Sequence, residues 1–175
     1  MRRVLLAIVV AGALLALVPV GALATGGTPS DSHGTWGWKV GVTTPGAMAE
    51  APDGSTIFMS GSGTFTVGPG SMATGGGTFS ESNGSSGTWT ATGLDSFVSY
   101  GPAVAGFPIP GATGGEAKLQ VSLSNGQTGT LTIFCVVPGS MPPPSRMEGI
   151  EVILGDGGSN EYTMEDGGNT VFLAT

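Results

Sequence analysis

Few side chains in this 175-residue sequence could transfer a proton, attack a carbonyl or hold a metal: one histidine, one cysteine and twelve carboxylates. His33 is the single imidazole. A catalytic triad needs a base held by an acid beside a nucleophile, and zinc needs three or four ligands, so His33 alone supplies neither. Cys135 shares strand parity with Leu131, Ile133 and Val137, which predicts a buried thiol acting as a small hydrophobe rather than a thiolate nucleophile. Asp156, Glu161, Glu165 and Asp166, with Asn160 and Asn169, put oxygen ligands on glycine-rich turns. Their spacing fits neither an EF-hand loop nor the nonapeptide calcium repeats, so a solvated acidic cluster is expected. No Gly-x-Ser-x-Gly elbow and no phosphate-binding glycine loop occurs. The sequence therefore names no catalytic residue, no metal ligand and no cofactor.

Aromatic residues are the better candidates for binding. Trp36, Trp38, Trp89 and Tyr100, with Phe97 nearby, would form a stacking platform for a sugar or another flat ligand if exposed together, and a core if turned inward. For Trp89 and Phe97 the inward reading is favoured. Trp36, Trp38, Trp89 and Tyr100 are the candidate ligand-binding set. Alternate threonines, as at Thr64 and Thr66 or Thr88, Thr90 and Thr92, resemble ice-binding hydroxyl arrays. The Gly-Thr starts lack the fixed repeat such arrays need, and threonine's preference for a wet strand face accounts for the pattern.

These side chains are positioned by strands. From Thr56 to Val67 the odd positions hold Ile57, Met59, Phe65 and Val67 while hydroxyls occupy most even ones, the period of two of a half-buried strand. Gly-Thr-aromatic recurs at Gly63, Gly77 and Gly87. Thr35 to Val42 puts Trp36, Trp38 and Val40 on one side. Between them Pro45, Pro52 and Asp53-Gly54 predict a loop, with a helical turn over Ala47 to Glu50. Gly68-Pro69-Gly70 and Asn83-Gly84 are turns around a strand from about Gly76 to Glu81. The next strand runs from Thr88 to Tyr100, where a parity flip at Gly93-Leu94 predicts a β-bulge and turns Leu94, Val98 and Tyr100 inward. Proline-containing Gly101 to Gly115 is a connection over one end. Glu116 to Ser124 alternates with Ala117, Leu119, Val121 and Leu123 inward. Thr130 to Val137 returns with Leu131, Ile133, Cys135 and Val137, and Phe134 and Val136 on the other parity predict cover on both faces. An extended connector from Pro138 to Arg146 leads to three short strands, Ile150 to Leu154, Asn160 to Met164 and Asn169 to Ala174.

About eight to nine strands and almost no helix define an all-β fold. A single small antiparallel β-barrel is favoured over a β-sandwich, because closure removes edges that this chain has few charges to protect. The strand–glycine turn–strand unit from Gly61 to Phe79 resembles, in its glycine and aromatic spacing, the hairpins of dirigent, allene-oxide-cyclase and lipocalin barrels. That resemblance implies a barrel and carries no functional residue across.

Composition bounds the role. Met1-Arg2-Arg3, an apolar run from Val4 to Val18 and Ala22-Leu23-Ala24 predict a signal peptide over residues 1–24; the run is shorter than the roughly 20 residues of a spanning helix. A flexible lead over 25–34 and one domain over 35–175 follow, in a secreted or cell-envelope location. The remaining chain keeps Lys39, Lys118 and Arg146 against twelve acids, a net of 3 − 12 = −9, which argues against nucleic acid and anionic membranes as partners. A chain 39% hydrophobic is too apolar for disorder, so its 33 glycines are expected in turns and bends. With one cysteine no internal disulfide can form, and packing, oligomerisation or a ligand must supply stability. Three readings of function stand. The first is an exported, non-catalytic barrel that binds a small apolar or carbohydrate ligand or a protein partner. The second is a structural envelope or surface protein, and the third a cyclase- or isomerase-type enzyme with an apolar pocket. A cavity lined by Met59, Phe65, Trp89 and Leu119 favours the first and third; a filled interior favours the second.

Overall fold

The computed structural model describes residues 33–155, 160–165 and 167–175. The expected signal peptide, most of the expected lead, Asp156 and Asp166 lie outside them. The described residues form an all-β structure of eleven strands in one antiparallel sheet. In order these are β1 Gly34–Val40, β2 Ala47–Glu50, β3 Thr56–Val67, β4 Met72–Glu81, β5 Ser86–Pro102, β6 Ala112–Leu123, β7 Thr128–Cys135, β8 Gly149–Leu154, β9 Asn160–Tyr162, β10 Met164–Glu165 and β11 Thr170–Ala174. Among the described residues no helix is long and apolar enough to cross a membrane.

The sheet closes on itself. β3, β4, β5 and β6 pair in succession, β6 pairs β11 through Ala112 and Thr113, β11 pairs β1, and β1 returns to β3. Two strands change partners along their length, which opens the ring at one end. β3 pairs β2 over Thr56 to Met59 and β1 from Gly61 onward. β6 leaves β11 after Thr113 and pairs β7 from Gly115, with β8 and β9 beyond.

Alternation places the core. Ile57, Met59 and Phe65 of β3, Ala117, Leu119, Val121 and Leu123 of β6, and Leu131, Ile133 and Cys135 of β7 join one buried apolar cluster. Three local expectations are corrected. Ala47 to Glu50 is a strand, not a helical turn: a four-residue helix cannot outweigh the ladder to Ile57 and Met59, which buries Ala47 and Ala49 completely. β5 carries three register shifts rather than one, between Ala91 and Gly93, Leu94 and Ser96, and Ser99 and Gly101. The second shift turns Phe97 into the core and leaves Leu94 and Val98 only half-buried. The strand expected from Asn160 to Met164 splits, so that β9 pairs β8 while β10 crosses to β2.

Candidate functional site

Glycines on β3 decide what the interior holds. In register, Trp38 faces Gly63, which faces Gly75; one row along, Gly61 faces Gly77, which faces Trp89. With no side chains at Gly61 and Gly63, two indoles lie against bare backbone and stack, centroids 5.4 Å apart. The fit is close: a methyl on Gly63 would stand 2.6 Å from Trp38 Cζ2, and one on Gly61 2.8 Å from Trp89 Cζ2. Trp89 Nε1–H donates to the Ser60 carbonyl at 3.1 Å. Trp38 Nε1 is buried without an acceptor among the described residues. Beside the indoles, Phe97 touches Trp36 and Phe65, each with centroids 4.8 Å away, and Phe172 closes the group edge-on to both phenyl rings.

The four candidate binding residues therefore separate. Trp36, Trp38 and Trp89 point into the core at 8%, 1% and 2% exposure, their faces against other aromatic rings. Met59, Phe65 and Leu119, proposed as cavity walls, are buried at 0–1%. Tyr100 is buried too, but on the outer face of the sheet. Its hydroxyl donates to Glu116 Oε2 at 2.9 Å, and its phenol is held above its usual range, first by burial and then by that carboxylate. Glu116 and Glu151 both ion-pair with Arg146 at 3.6 Å, and the Arg146 guanidinium lies 3.9 Å over the Phe134 ring. Arg146 ends the proline-rich connector. The connector thus lies over the outer side of β5 to β8, tied also by Met141 N–H to the Tyr100 carbonyl, and covers Phe134 as its parity predicts.

Cys135 is buried and donates to the Thr170 carbonyl at 3.4 Å; burial pushes its thiol up to about 11. A thiol so held is not a nucleophile near neutral pH. His33 is exposed beside Gly68 in the turn after β3. Of the acidic groups, Glu161 shares a shallow polar hollow with Asp53, Ser55 and Tyr162. Asp53 is held below its usual value by hydrogen bonds from the Ser55 hydroxyl and N–H. Among the described residues no three metal-ligating side chains gather closely enough to hold an ion.

Residues mostly not singled out by sequence reasoning, joined by Val136, Val137 and Asn169, build a cleft of ≈ 250 Å³. The β5–β6 loop supplies Phe107 and Ile109, the end of β7 leads into Val136, and Val42 and Val171 come from beside β1 and from β11. Glu148 lies in the same wall. Its Oε1 accepts the Thr170 N–H at 2.7 Å, while the Thr170 hydroxyl donates to the Phe134 carbonyl at 2.6 Å. Burial raises the Glu148 carboxyl above its usual value, against the lowering effect of Thr170. The only sequence signal for this site is an acid between the apolar Met147 and Ile150, too common to stand out.

No protein-family model, curated protein or solved structure matches this chain.

Proposed function

We propose that this protein is an exported, non-catalytic surface or envelope module: a β-barrel filled by its own side chains, which acts through its outer surface and end loops. The observation that carries this reading is the interior packing. Trp38 stacked on Trp89 over Gly61 and Gly63 of β3, with Phe65, Phe97 and Phe172 beside them, occupies the space that a ligand-binding or cyclase-type barrel leaves open. The pairing ring through β1, β3, β4, β5, β6 and β11 supports a barrel over a sandwich. Export rests on the signal-peptide pattern of residues 1–24, and a net charge of −9 beyond it suits a surface kept apart from nucleic acid.

Mass spectrometry of protein recovered from the producing cells tests the proposal. The expected species is the bare chain beginning at Thr25, found in the envelope or the medium. A stoichiometric apolar molecule released only when the protein unfolds would overturn the filled-interior reading, and a cytoplasmic chain retaining Met1 would overturn export.

A further inference from the structure

The cleft around Glu148 combines apolar walls with one carboxylate that has no counter-charge among the described residues. Val42 and Ile109 are open to solvent at 54% and 38%, so the cleft can be entered from outside. Glu148 Oε1 is committed to Thr170 N–H, and among the described residues no protein group donates to Oε2 and no cation ion-pairs with it. Arg146, two residues away, is held by Glu116 and Glu151. Among the described residues no ion pair joins Lys39, opposite Val171 in the β1–β11 ladder, to Glu148. A half-buried carboxylate in apolar surroundings gains more from a cation than an exposed one does. No group of three metal-ligating side chains gathers among the described residues, and the cation that fits is not calcium or magnesium, which take six or more oxygens. It is one with an apolar body.

We propose that this cleft binds a small aliphatic ammonium ion, its charged head on Glu148 Oε2 and its alkyl chain along Val42, Phe107, Ile109 and Val136. The volume of ≈ 250 Å³ lies below the roughly 300–1,000 Å³ of sites for drug-sized ligands, which limits the guest to a short chain. Fatty acids of the same length are repelled by Glu148, and neutral alcohols gain only the apolar half of the contact. The site goes beyond the role proposed above and does not involve the filled interior.

Titration of the purified protein with hexylammonium, followed by methyl and amide NMR shifts, tests the site. Shifts are expected at Val42, Ile109, Val136 and Val171, with hexan-1-ol and hexanoate much weaker. Glu148→Gln keeps an oxygen for Thr170 N–H, so the fold is retained, while loss of a charge-assisted hydrogen bond weakens hexylammonium about tenfold or more. Ile109→Ala, in the loop, weakens all alkyl guests without changing their order. Equal binding of hexanol, an unchanged affinity in Glu148→Gln, absence of binding, or shifts mapping to another face would each overturn the proposal.

Discussion

Two halves of the interior solve the same packing problem by opposite means. Across β6, β7 and β8, most inward positions carry aliphatic side chains of moderate size, and Leu119, Leu131, Ile133, Ile150 and Val152 fill the space with none of their surface exposed. Across β1, β3, β4 and β5, large rings meet bare backbone: the indoles at 38 and 89 lie against the glycines at 63 and 61. The aliphatic half distributes its volume evenly, so a change at one position can be shared by neighbours. The indole half concentrates it in two rings lying on backbone that cannot retreat. The second arrangement is expected to be the more brittle.

The largest effect expected from this contrast is at Trp89. Trp89→Ala removes a ring from the glycine floor and leaves the Ser60 carbonyl without its indole donor, a loss of about 3–5 kcal/mol in urea unfolding. In the other half, Leu131→Met conserves volume and is expected to cost less than about 1.5 kcal/mol. Comparable losses for the two would remove the distinction. A smaller difference separates the two indoles themselves. Trp89→Phe gives up a hydrogen bond whereas Trp38→Phe removes a buried N–H that has no acceptor, so the first should be the more destabilising by about 1 kcal/mol.

The smallest effect lies outside both halves, at Glu148. Because burial raises its folded-state carboxyl above the unfolded value, the native protein binds this proton more readily than the unfolded chain does. Its contribution is therefore most favourable below the ordinary glutamate range and declines as pH rises through the raised value. Unfolding free energies measured from pH 4 to 7 should show the parent losing stability relative to Glu148→Gln as pH rises over that window. An identical pH profile would remove the burial effect at this residue.

How much of this was legible in sequence follows from how local the determining physics is. The alternation of Thr56 to Val67 and of Glu116 to Ser124 is a property of consecutive residues, and β3 and β6 carry it as read. Phe134 announced its outer cover because an aromatic residue on the wet parity needs one. Three features could not be read this way. Ala47 to Glu50 has helix-tolerant residues whose strand state is imposed by a partner ladder. The second bulge, which gives Phe97 the core position favoured for it, is marked by no glycine. Trp89 is buried, on the inward reading favoured for it, whereas Tyr100, Trp36 and Trp38 look alike as exposed or buried aromatics until the connector ending at Arg146 and the glycine floor are in place. The Glu148 cleft draws on five separate segments, so no window of sequence contains it.

The packing of indoles on glycine is tested most directly by a pair of alanine substitutions read by urea unfolding. A methyl at Gly63 would stand 2.0 Å from the Thr74 carbonyl oxygen and meet Trp38, whereas one at Gly37 finds only Leu173, its Cβ 3.7 Å away. Gly63→Ala is predicted to lose about 1–3 kcal/mol or more, and Gly37→Ala to be neutral or to gain up to about 1 kcal/mol from the stiffer strand. Equal effects at the two positions, or a tolerated Gly63→Ala, would contradict an interior built by rings laid against bare backbone.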